Sequence, residues 1–212
     1  MLSDSIVNLE RITDKESLKV ELSFMAIFIG LFEYLKDTVC SRVESFLCTD
    51  MTRTDEGELV WVHTEEYKSE IEKRIVDGEV VKDRLRNTML WYKDAGALTE
   101  KDYVRFLELR KKRNSYAHEM TAHILDGLPG EDMHALIDLL ELFQKLDQWW
   151  INEIEIPISG DFKPGSYQED EVESVALITF KMLISTLFVE GKSEEYMEMI
   201  RGLKKQNVTN DG

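Results

Sequence analysis

Apolar residues recur every three or four positions along most of the chain, and the stretches over which they do so predict helices. Leu18, Leu22, Met25, Phe28, Phe32, Leu35, Val39, Val43 and Phe46 form one such stripe, the spacing of a helix face turned to a core. Thr13-Asp14-Lys15-Glu16 ahead of it has the capping-box pattern, with Thr13 accepting from the third helical amide and Glu16 reaching back. A first helix is expected from there to about Leu47. Between Cys48 and Gly57 the sequence turns polar, and Leu59-Val60-Trp61-Val62 is the one short run compatible with a strand. A second helical stretch is predicted from Thr64 to Tyr92, interrupted near Gly78, with Val81, Leu85, Met89 and Tyr92 on one stripe. Thr99 and Asp102 repeat the start signal for a third helix, carrying Tyr103 through about Leu125 and closing before Gly127-Leu128-Pro129-Gly130. A fourth, from Glu131 to about Ile154, shows Leu136, Leu140, Phe143, Leu146 and Trp150 at helical spacing.

Four helices with short connections imply an all-α fold, an antiparallel four-helix bundle over residues 1–155. Pro157, Gly160, Pro164 and Gly165 mark residues 156–168 as a linker. Beyond it, Glu169 to Val189 and Ser193 to about Lys205 read as two additional C-terminal helices. The first has Val175, Ile178, Met182, Ser185 and Val189 on its apolar face. This pair, residues 169–206, is expected to pack on the bundle or at a dimer interface, and residues 207–212 to be a frayed tail.

Composition narrows the function. With 42 acidic and 26 basic side chains the net charge is −16, which argues against a general nucleic-acid coat protein, because non-specific phosphate binding needs Lys and Arg to displace counterions. Any such site must be local, and the cations Arg105, Arg110, Lys111, Lys112 and Arg113 do cluster. Cys40 and Cys48 stand two helical turns apart, too far for a disulfide, and read as reduced core residues. No apolar run approaches the ~20 residues that span a bilayer, and Met1-Leu2-Ser3-Asp4 runs straight into polar sequence. A cytoplasmic protein with no membrane partner is expected.

The third helix carries the chemistry. Its core stripe begins with Tyr103, Phe106 and Leu107, then delivers Arg110, Arg113 and Asn114 before Ala117, Thr121, Ile124 and Leu125 restore it. Polar groups in an apolar stripe cost stability unless they are paired or line a wet cleft, so the interruption marks a candidate site. Asn114 and His118 stand four apart on one helix face, and Arg113 is long enough to reach the same space. A histidine exchanges protons near neutrality, and an arginine pairs with phosphate and with the extra charge of a five-coordinate phosphorus. Together they suit metal-free cleavage of RNA with the 2′-hydroxyl as nucleophile. His118-Glu119 with His123 does not make a zinc helix, because the second histidine comes one position too late for i, i+4 pairing. No metal or other cofactor is expected.

The run Leu109-Arg110-Lys111-Lys112-Arg113-Asn114-Ser115-Tyr116-Ala117-His118-Glu119 resembles the signature of HEPN domains, an Arg followed by a polar residue and, four positions later, a His, in a late helix of a small bundle. The resemblance covers roughly Ser17 to Ile154. It implies a homodimer whose paired motif helices line one cleft, and a metal-independent endoribonuclease of the kind used in toxin–antitoxin or anti-phage systems, with an antitoxin or other regulatory protein as a further partner. By match of motif it implies Arg113 and His118 as catalytic residues and Asn114 as the residue that orients them. Arg110, Lys112 and Tyr116 are expected as further contacts to the RNA substrate. Members silenced by a nucleotidyltransferase carry a Tyr two residues after the motif His; this chain has Met120 there. The readings that compete are a non-catalytic helical dimer of the same fold acting as an interaction module, and an acidic protein that neutralises a basic partner.

Overall fold

The computed structural model describes residues 13–128, 132–160, 168–169 and 172–188. They are mostly helical, with two small two-stranded antiparallel sheets. Helix α1, Lys15–Leu47, runs for 33 residues and buries Phe24, Met25, Phe28, Leu31, Phe32, Leu35, Val39, Cys40, Val43 and Leu47. The expected stripe is right along most of its length, but Leu22 and Phe46 are exposed. The cap is Asp14 rather than Thr13: its carboxylate accepts from the amides of Glu16 and Ser17 at 3.2 and 3.5 Å, satisfying donors the first turn leaves open.

Two hairpins replace predicted coil and helix. Strands β1, Met51–Arg53, and β2, Leu59–Trp61, pair antiparallel, so the run compatible with a strand forms one over its first three residues. The helical stretch expected over Thr64 to Tyr92 is interrupted at Gly78 as expected, but by a whole hairpin rather than a local break. A short helix α2, Glu65–Tyr67, passes into a π-helical turn at Lys68–Glu72. Strands β3, Arg74–Val76, and β4, Glu79–Val81, follow with Val76 opposite Glu79. The two-residue connection puts Asp77 at φ 53° and Gly78 at φ 83°, the left-handed pair that a tight hairpin turn requires. Only then does α3, Arg84–Asp94, begin, capped by Asp83 on the Arg86 amide at 3.0 Å. Asn87 on α3 is fully buried and donates to the carbonyls of Ile71 and Val81, both at 2.8 Å, tying the two ends of the hairpin to the helix.

Helix α4, Glu100–His118, opens with the expected capping box of Thr99 and Asp102. It buries Tyr103, Phe106, Leu109 and Tyr116, whereas Leu107 and Ala117, both expected in the core, are exposed. The helix predicted to reach Leu125 breaks at Glu119 (φ −115°, ψ 21°), and a separate α5, Met120–Asp126, follows with no fully buried residue. Helix α1 packs on both α3 and α4, and Phe24 and Phe28 of α1 meet the Tyr116 ring edge-on at 6.1 and 5.1 Å. Helix α6, Asp132–Trp150, buries Leu136, Leu139, Leu142, Phe143 and Leu146. The turn expected at Pro129-Gly130 lies outside the described residues.

The chain divides into two compact units, one ending at Leu146 and the other beginning at Asp147, within α6. In the second, a π-helical turn at Ile151–Glu155 leads into α7, Ile156–Ser159, so part of the predicted linker is helical. Helix α8, Val175–Phe188, starts on Ser174, whose amide donates to Asp147 at 2.8 Å. Leu177 and Phe180 are its buried residues, and Val175 and Ile178 of the predicted apolar face are exposed. The second C-terminal helix and the tail lie outside the described residues. No described helix is long and apolar enough to cross a membrane.

Candidate functional site

On α4 the buried positions Phe106, Leu109 and Tyr116 leave one vacancy in their spacing, and Arg113 fills it. The interruption of the stripe is therefore real at this residue. The Arg113 guanidinium meets Glu33 of α1 at 2.5 Å and donates to the Asn114 side-chain carbonyl at 3.1 Å. Its Nε is buried with no hydrogen-bond partner among the described residues. A hydrogen bond from Lys36, opposed by burial and reinforced by the charge of Arg113, holds the Glu33 carboxyl below the usual carboxylate range.

Arg113 and Asn114 lie along an open groove of about 490 Å³ walled by α1, the segment leading from β4 into α3, and α4. Phe32 and Leu85 supply its apolar part. Five cations line it, Lys36, Lys82, Arg84, Arg110 and Arg113, against two carboxylates, Glu33 and Asp83. On a chain of net charge −16 this is a local positive surplus, and a concave one, where opposing charge is drawn in. Within it Arg110 pairs with Asp83 at 2.6 Å, and Arg84 reaches out to Glu44 at 3.0 Å. Lys36, Lys82 and Arg84 were not legible as site residues: they are scattered in sequence and meet only because α1, α3 and α4 pack together.

The basic run on α4 does not form one patch. Helical spacing sends Arg110 and Arg113 to the groove, while Arg105 and Lys112 turn toward α6, where Arg105 pairs with Asp138 and with Glu141 (2.8 Å) and Lys112 pairs with the buried Asp132. Tyr116 is fully buried and its ring lies 5.9 Å from the Lys112 ammonium. Burial, with the Asp132 carboxylate nearby, drives its phenol well above the usual range. Lys112 and Tyr116 line a second cavity of about 270 Å³ with Lys111, Ser115, His123 and Asp132.

His118 ends α4. Its side chain is exposed, has no hydrogen bond or ion pair among the described residues, and lines neither cavity. Asn114 is exposed and bonded to Arg113 rather than to His118. One chain therefore joins Arg110, Arg113 and Asn114 in the groove, and Lys112 with Tyr116 beside it, and leaves His118 apart from both.

His63, for which the sequence offers no neighbours, bridges two carboxylates, Glu72 at 2.6 Å from Nδ1 and Glu44 at 3.0 Å from Nε2, and packs on Tyr67. It ties the turn after β2 to α1. Among the described residues no group of three His, Cys, Asp or Glu side chains is arranged to hold a metal ion. The chain matches no protein-family model, no curated protein and no solved structure.

Proposed function

We propose that this chain is a metal-independent endoribonuclease of the HEPN type, acting as a homodimer. The observation that carries the reading is the groove beside Arg113: five cations against two carboxylates on a strongly acidic protein, an environment that selects a phosphate-bearing ligand. Arg113 binds the scissile phosphodiester by exchanging Glu33 for a phosphate oxygen, and its permanent planar charge stabilises the five-coordinate phosphorus. Asn114 holds the guanidinium in register. His118, exposed and without an ion pair among the described residues at the end of the same helix, is brought to this groove from a second copy and transfers a proton to or from the reacting oxygens. An antitoxin or other regulatory protein masks the site until cleavage is needed.

The separation of His118 from the Arg113 groove within one chain favours one alternative, a non-catalytic helical dimer of the same fold that binds an anionic partner through the groove. Incubating the purified protein with a structured RNA separates the two. The nuclease cuts it in the presence of a chelator, leaving 2′,3′-cyclic phosphate ends, and His118→Ala lowers the rate by ~10²–10⁴. Equal rates for both proteins, or no cutting by either, removes the nuclease reading.

A further inference from the structure

Cleavage by the 2′-hydroxyl calls for two proton transfers, one away from O2′ as the O2′–P bond forms and one onto O5′ as the P–O5′ bond breaks. At each Arg113 groove the other copy's His118 supplies one of them. A second histidine stands five residues on, in a setting that His118 lacks. His123 of α5 has its Nε2 2.9 Å from the Ser115 hydroxyl, and that hydroxyl lies 2.6 Å from a Glu119 carboxylate oxygen.

One hydroxyl proton cannot serve two acceptors. At 2.6 Å the two oxygens need the proton between them, so Ser115 donates to Glu119 and must itself accept from His123. The imidazole therefore carries its proton on Nε2 and leaves the Nδ1 lone pair to exchange protons. The Tyr116 ring meets the imidazole at 71° and 5.3 Å and fixes its plane. A carboxylate, a hydroxyl and an aromatic wall thus fix both tautomer and orientation, the arrangement that prepares a side chain for proton transfer. The imidazole opens on the 270 Å³ cavity whose rim carries Lys111, an exposed cation with no ion pair among the described residues.

We infer that His123, oriented by Ser115 and Glu119, is the second proton-transfer group of the RNA cleavage proposed above, presented with His118 of the same copy to the phosphodiester that Arg113 of the other copy holds, with Lys111 beside it attracting a flanking phosphate of the RNA. The inference rests on that nuclease reading. In the step it completes, one histidine takes the 2′-hydroxyl proton, the P–O5′ bond breaks, and the other histidine protonates O5′, giving a 2′,3′-cyclic phosphate and a 5′-hydroxyl. Ser115 is a positioning residue.

The test uses the full chain, a structured RNA and four variants, His123→Ala, His123→Gln, Ser115→Ala and His118→Ala. The Gln amide still donates to Ser115 but carries no exchangeable charge, so a merely structural His123 would tolerate it. The expected result is a ~10²–10⁴-fold loss in both His123 variants with unchanged melting, one limb missing from the pH–rate profile of His123→Gln, and a smaller loss in Ser115→Ala. Long-range ¹H–¹⁵N spectra of the resting protein should show His123 as the Nε2–H tautomer, with this preference lost in Ser115→Ala. Cleavage by wild type and His123→Gln at equal rates, with His118→Ala inactive, overturns the inference and leaves the nuclease reading standing. An Nδ1–H tautomer at His123 overturns it without reference to activity. No cleavage by the wild type defeats both.

Discussion

Replacing Asn87 by Leu tests whether the groove wall is held where it is by one buried amide. Asn87 is fully buried and makes two hydrogen bonds of 2.8 Å, to the carbonyl of Ile71 before β3 and to that of Val81 at the end of β4. Leu keeps the volume and deletes both donors. An orphaned buried carbonyl costs ~1–3 kcal/mol; Ile71 is fully buried and bears the full cost, while the Val81 carbonyl is partly exposed and takes a share from water. Against this, the Asn87 side-chain oxygen is itself buried without a hydrogen-bond partner among the described residues, and removing it returns part of the loss. The net is about 2 kcal/mol, or roughly 4–8 °C in melting temperature for a domain of this size. Hydrogen exchange should localise the effect, with amides of β3 and β4 losing protection ahead of those in α1. Lys82, Asp83 and Arg84 follow β4 directly and line the groove, so the RNA binding proposed for it should weaken in the same variant. A change below ~0.5 kcal/mol with hairpin protection intact would refute the reasoning.

Two further outcomes follow from the charges. Lys82 is exposed in the cationic groove, so Lys82→Glu should weaken the proposed RNA binding at every sequence and lower the slope of log affinity against log salt by about 0.7–0.9 for each phosphate no longer neutralised, read by fluorescence anisotropy across a salt series. Burial opposes ionisation of Asp102, but hydrogen bonds from Lys145 at 2.5 Å and from the Thr99 hydroxyl and amide outweigh it and hold its pKa down to about 2. A depressed carboxyl stabilises the fold above its unfolded pKa near 4 and loses that contribution as pH falls toward 2. With solvent screening of this surface cluster taken into account, Asp102→Asn should therefore cost ~1–2 kcal/mol at neutral pH and almost nothing at pH 2 in urea titrations; an equal cost at both would contradict this.

The division between what was legible and what was not follows the range of the forces involved. Helical periodicity identified α1, α4 and α6, and the Thr99–Asp102 capping box located the start of α4, because these depend on residues a turn or two apart. Asp77-Gly78 between Ile75-Val76 and Val80-Val81 was also readable as a hairpin. It was lost to an apparent helical stripe through Val81 and Leu85. That Arg113 breaks a buried stripe was visible too, since burial has the period of the helix. The sequence by itself therefore determined which segments coil and where a charge intrudes on the core. Only the tertiary structure decided that Arg113 meets Glu33, that Lys82 and Arg84 join it in one groove, that Lys112 turns to Asp132, and that Ser115 holds His123 across the break at Glu119. Charges act through space, and no local pattern specifies which distant carboxylate or cation the packing of helices will bring within reach of a hydrogen bond.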